Sequence, residues 1–131
     1  MIAVDTNILV RLLVKDDEKQ TRKVVQLLSR LDGDAERAYV SDIVVCEVVW
    51  VLRSAYGFDK RQIVGALRGL FAARQLAFES PDSLLRALSA FEAGRGDLSD
   101  YIIGEHARAA GARVVFTFDK ALQKDDLFAS P

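Results

Sequence analysis

Apolar positions along this chain follow two rhythms. Four short runs, Ile2-Ala3-Val4, Ala38-Tyr39-Val40, Leu76-Ala77-Phe78 and Val114-Val115-Phe116, are too brief for helices and read as strands. Between them the apolar residues recur at helical spacing. Ile8, Leu9, Leu12 and Leu13 predict a helix from about Asn7 to Val14. Val24, Leu27, Leu28 and Leu31 predict a second, capped by Asp17 with Gln20 three residues on, and closed before Gly33. Ile63, Leu67, Leu70 and Phe71 mark a helix opening at Asp59. Leu84, Leu88 and Phe91 mark another, with Pro81 at its first position, running to about Ala93. After Gly94-Arg95-Gly96, Asp97 or Ser99 caps a long helix ending at Gly111. The tail from Lys120 adds a short helix and an edge strand around Leu127-Phe128.

The segment Asp42 to Ala55 departs from both rhythms. Ile43-Val44-Val45-Cys46 and Val48-Val49-Trp50-Val51-Leu52 leave Glu47 as the one charge in an apolar run. β-Branched content favours a strand; length, the Ser41/Asp42 cap and Gly57 favour a helix. A helix apolar all round is expected to be buried on most sides. Strands alternating with helices predict one α/β domain over residues 1–131, with a central parallel sheet of four to five strands and helices on both faces.

Composition changes this picture little. The chain has 131 residues, half of them hydrophobic, and a net charge of −1 from 18 basic and 19 acidic residues. That balance gives no general polyanion-binding surface, although a local basic rim can still serve. No apolar run approaches the roughly 20 residues that span a membrane, and no secretory signal opens the chain. Cys46 is the only cysteine, so no internal disulfide forms and a reducing cytoplasm is the expected location.

The chemistry lies in the acids. Asp5 ends the first strand and Asp119 the last, which places both at the carboxyl edge of a parallel sheet, where ligands bind. Asp100 opens a helix that returns the chain to the sheet's amino edge, so it too starts from the carboxyl edge. Glu47 lies about one and a half turns into its helix, which begins from that edge as well. A carboxylate buried among apolar residues needs an arginine, a proton or a metal. Arg11 or Arg53 could pair with it, but one divalent cation would meet all four acids. Oxygen ligands without His or Cys select Mg²⁺ or Mn²⁺, and such sites serve phosphate chemistry. Acids at strand ends also suit a receiver domain that accepts a phosphoryl group, or a noncatalytic interaction domain stabilised by metal. An aspartyl-phosphatase motif is absent, since Asn7 stands two residues after Asp5.

Four short motifs occur in order: Asp5-Thr6-Asn7 after the first strand, Ser41 with Val45-Cys46-Glu47-Val48, Asp97-Leu98-Ser99-Asp100, and Thr117-Phe118-Asp119. Together they resemble the PIN-domain ribonucleases, and more narrowly the VapC-type toxins of type II toxin–antitoxin pairs. The resemblance implies a three-layer α/β/α fold and an Mg²⁺- or Mn²⁺-dependent endoribonuclease restrained by a VapB-like antitoxin. It also implies a homodimer and a structured RNA substrate such as tRNA. Asp5, Glu47, Asp100 and Asp119 would be the metal-binding catalytic acids, with Asp97 either a further ligand or the cap of its helix. Thr6, Asn7, Ser41 and Thr117 fit positions that orient those acids or shape turns, Asn7 taking the cap of the first helix. Arg11, Lys15, Arg95, Lys120 and Lys124 are candidates for holding RNA phosphates. His106 and Cys46 are expected to be a surface imidazole and a buried, inert thiol, and Trp50 a core residue that could flank the site.

Overall fold

In a computed structural model, which describes all 131 residues, the chain divides into two compact units, Met1–Ser80 and Pro81–Pro131. The first unit holds β1 (Ile2–Ala3), α1 (Thr6–Leu13), α2 (Glu18–Ser29), β2 (Ala38–Val40), α3 (Asp42–Ser54), α4 (Lys60–Ala72) and β3 (Leu76–Phe78). The second holds α5 (Pro81–Ala93), α6 (Leu98–Ala109), β4 (Val115–Phe116), a short 3-10 helix (Leu122–Lys124) and β5 (Phe128–Ala129).

In the first unit β2 lies between β1 and β3, and both pairings are parallel. Ile2, Ala38 and Leu76 stand in one row across the sheet, and Ala3, Tyr39 and Ala77 in the next. Successive strands are linked by helix pairs, and both crossovers step the same way across the sheet. Right-handed connections then put α1 to α4 on one face. Consistently, α1 packs on α2 and α3, and α3 on α4. Leu9, Val10, Val40, Val48, Leu52, Ile63 and Leu67 form the dry interior of this unit. Fully burying side chains of this kind is worth about 1.5–3 kcal/mol each.

The predicted caps hold α2, α3 and α4. Asp17, Ser41 and Asp59 accept the amides of Gln20, Val44 and Gln62 at 3.0, 3.2 and 2.8 Å. Gly57 closes α3 in a left-handed conformation at φ +66°, its amide donating to the carbonyl of Arg53. Helix α3 is indeed a helix, but its exterior is not dry. Ile43 and Trp50 are 72% and 69% exposed, and Glu47 between them is exposed. Positions 43, 47 and 50 share one stripe at helical spacing, and the stripe faces solvent. The sequence-based expectations of a buried Glu47 and a core Trp50 are therefore corrected. The β-branched run hid an amphipathic helix whose outward face happens to be apolar beside its single charge.

In the second unit α5 and α6 pack together, and β4 pairs with β5 in parallel. Gly104 of α6 lies close over β5, where a Cβ would stand 3.0 Å from Leu127 and 3.3 Å from Phe128. The α/β class and the parallel pairing agree with the sequence reading. The strand count does not: a three-stranded sheet and a separate two-stranded pair replace one sheet of four to five strands. Strands of two or three residues make few ladder hydrogen bonds, so apolar rhythm alone does not say which strands share a sheet. No helix is long and apolar enough to cross a membrane.

Candidate active site

Three parallel strands in the first unit end on one edge, and each is followed by an acid. Asp5 follows β1, Asp42 follows β2 after Ser41, and Glu79 follows β3. Asp5 is the N-cap of α1, so Asn7 does not take that role. Its Oδ1 accepts the amide of Ile8 at 3.4 Å, a long bond, and the carboxylate is exposed. Thr6, the first helical residue, is buried, and Asn7 is exposed. Ser41 caps α3, the helix that carries Glu47. Glu47 makes no hydrogen bond or ion pair within the protein, leaving both oxygens available.

Two acids of this edge were missed in the sequence. Asp42 is buried, and its amide donates to Glu79 Oε1 at 2.9 Å, so Glu79 anchors the N-terminus of α3. Glu79 also lies near the hydroxyl of Tyr39, whose pKa is raised by desolvation and by this neighbouring carboxylate. The signal was present: Glu79 directly follows Leu76-Ala77-Phe78, in the position that made Asp5 and Asp119 stand out.

The second unit supplies the other candidates. Asp97 is the N-cap of α6, and its amide donates to Asp100 Oδ2 at 2.8 Å. Asp100 is half-buried. Beyond β4, the Thr117 hydroxyl accepts the Asp119 amide at 3.0 Å, and Asp119 Oδ1 accepts the Ala121 amide at 2.9 Å. The Thr117 carbonyl receives Gln123 Nε2 at 2.7 Å, which ties the turn to the short helix after it. Asp119 and Lys120 are exposed.

A pattern links these acids. Asp5, Asp100 and Asp119 each tie one carboxylate oxygen to a backbone amide, and no second oxygen is engaged. Each is thus oriented by the backbone and left with one free acceptor. No three His, Cys, Asp or Glu side chains converge into a preformed metal cage. The donor chemistry itself, oxygen throughout, fits a hard divalent cation that keeps several waters.

Other candidates fall elsewhere. Arg11 lies in the last turn of α1, away from Asp5, and its guanidinium is engaged. It donates to Gln20 Oε1 at 2.6 Å, Asp16 Oδ1 at 2.8 Å and the Tyr56 hydroxyl at 3.2 Å. The hydrogen bond with Tyr56 and the Asp16 carboxylate raise the guanidinium pKa further. Lys15 lies beyond that end of α1, in a cleft with Glu18, Thr21 and Arg22. Arg95 and Lys124 line a cleft in the second unit. Cys46 is half-buried and its thiol pKa is raised, first by burial and then by Asp42, which suits an inert thiol. His106 is exposed.

A parallel α/β sheet with carboxylates beyond the carboxyl ends of its strands is suited to binding a ligand or a hard cation at that edge. The sequence matches the PIN domain family over residues 2–126, and the chain belongs to that family. PIN domains are generally metal-dependent nucleases. No curated protein matches the chain.

Proposed function

We propose that this chain is an Mg²⁺- or Mn²⁺-dependent endoribonuclease and the toxin of a VapBC-type pair. The observation that carries this reading is the set of acids in a PIN-family chain: Asp5, Asp100 and Asp119 backbone-oriented with one free oxygen, and Glu47 wholly free. These four residues would hold the cation. When bound, it would lower the pKa of a coordinated water and offset charge on the phosphoryl oxygens.

The chain's own residues do the positioning. Ser41 and Glu79 fix the first turn of α3, and so the height at which Glu47 stands. Thr117 shapes the turn that presents Asp119, and the Asp97 amide holds Asp100. Oriented carboxylates need no reorganisation as charge develops, which is the usual source of electrostatic catalysis. Asp97 serves as cap to α6 in this reading, with Asp100 as the ligand. Lys120, exposed beside Asp119, supplies charge for the RNA backbone.

The substrate is proposed to be a structured RNA such as tRNA, and the restraint a VapB-like antitoxin, both on the strength of the motif resemblance. The exposed Ile43 and Trp50 on α3 support association of two copies. PIN membership supports this reading over the phosphoacceptor and noncatalytic metal-binding alternatives. The test is sequencing of RNA ends in cells expressing this chain beside its Asp5→Asn variant. New 5′-phosphate ends at defined positions, present only with the unaltered chain, are expected. Identical end profiles in the two strains would overturn the proposal.

A further inference from the structure

The Gly94-Arg95-Gly96 segment supplies none of the proposed metal-binding acids, yet it is packed more tightly than any other glycine-containing segment. A Cβ on Gly94 would stand 2.0 Å from the Tyr101 hydroxyl, and one on Gly96 2.4 Å from Leu122 Cδ2. The Gly96 amide donates to the Tyr101 hydroxyl at 3.1 Å. Both glycines are needed because the backbone lies against Tyr101 and the short 3-10 helix. The residue between them, Arg95, is exposed and therefore leaves a fixed backbone for solvent.

What it borders is a cleft of about 360 Å³. Arg95 stands on one side, and Lys124, from the same short helix as Leu122, is on the lining too. Ala90, Ala93 and Ala121 give it small-residue walls. Neither Arg95 nor Lys124 makes a hydrogen bond or ion pair within the protein. The one acid on the lining, Asp125, uses Oδ1 to accept the Leu127 amide at 3.0 Å. Two unpaired cations against one carboxylate give the lining itself an excess of one positive charge. A guanidinium fork and an ammonium are the side chains that hold phosphate.

Asp100 is not on the lining but is its neighbour through the chain: its Oδ2 lies 3.2 Å from where a Cβ would stand on Gly96, the residue next to Arg95. We infer that the Arg95–Lys124 cleft is a phosphate-binding subsite for the RNA strand, holding a backbone phosphate beside the one attacked near Asp100. This rests on the nuclease reading for its ligand, but not for its geometry. The glycines make Arg95 a preset contact, so less freedom is lost on binding than for an arginine on a mobile loop.

The test measures binding without cleavage. A fluorescein-labelled single-stranded RNA of mixed sequence is titrated by anisotropy in excess chelator across a salt series. The compared proteins are the unaltered chain, R95A/K124A, R95K, and K19A/K23A as a charge-matched control on α2. The cleft predicts at least tenfold weaker binding for R95A/K124A. Its slope of log affinity against log salt should fall by about one, with R95K and K19A/K23A near the unaltered chain. Binding by R95A/K124A within twofold of the unaltered chain overturns the subsite. So does an equal loss in K19A/K23A, which would make it a matter of net charge, and so does no RNA binding by the unaltered chain. An unaltered chain that binds through the cleft yet cuts nothing when Mg²⁺ or Mn²⁺ is added sinks the nuclease reading and leaves the subsite standing.

Discussion

Asp5 has two roles that a pair of substitutions separates. Its Oδ1 caps α1 through the Ile8 amide, and its free oxygen is the proposed metal donor. Asp5→Asn keeps an oxygen acceptor in the cap position, where asparagine performs as well as aspartate. It removes only the charge, whose interaction with an exposed helix N-terminus is worth about 0.3–1 kcal/mol. Asp5→Ala removes the cap as well, for a typical cost of about 0.5–2 kcal/mol. The 3.4 Å length of the bond puts the expected cost at the lower end, about 0.5–1 kcal/mol. For a chain of this size the lost charge lowers Tm by about 1–4 °C in Asp5→Asn, and the lost cap lowers it by about a further 2–4 °C in Asp5→Ala. Both variants should lose at least about 100-fold in RNA cleavage, roughly 2.7 kcal/mol of transition-state stabilisation. Calorimetry and a single-turnover cleavage assay on the three proteins decide the matter. The two-role account fails if Asp5→Asn cuts normally. It also fails if activity across the three proteins simply follows Tm.

Three further outcomes follow from the same geometry. Glu47→Gln should leave Tm within about 2 °C, since an exposed, unpaired carboxylate gives up little stability, while cleavage falls as far as in Asp5→Asn; a large stability change by thermal melting would restore a buried Glu47. Gly94→Ala forces a methyl into Tyr101 and should lose about 1–3 kcal/mol by urea unfolding, an overpacking cost that a silent variant would contradict. Cys46, with a raised thiol pKa, is more protonated at pH 8 than a free cysteine. It should react with iodoacetamide more slowly in the native protein than in urea, the rate rising as pH climbs through the shifted value, and equal rates would refute the assignment.

Much of the fold was legible because local signals agreed. The caps at Asp17, Ser41 and Asp59, the proline opening α5 and the four apolar runs each act within a few residues. Strand partnership does not: two-residue strands carry no register of their own, and the second parallel pair was folded into the first sheet on paper. Glu47 shows the other limit. Its surroundings in sequence are apolar, but burial depends on which stripe of α3 meets a neighbour, and the stripe of Ile43, Glu47 and Trp50 meets none within its unit. From sequence, two roles divide between Asp5 as ligand and Asn7 as cap, whereas Asp5 has an oxygen for each. Glu79 was overlooked because it ends a strand without belonging to a motif, although it ties α3 to β3. Arg11 looked like a free cation because its partners lie up to 45 residues away, in Tyr56.

The central claim is metal-dependent cleavage of RNA by these acids. It is tested most directly by incubating the purified chain with a structured RNA in Mg²⁺, in Mn²⁺ and in excess chelator, with Asp5→Asn in parallel, and resolving the products. The account predicts discrete fragments with 5′-phosphate ends in either metal, and none with chelator or with Asp5→Asn. Fragments that persist in chelator, or that Asp5→Asn produces at the same rate, would contradict it.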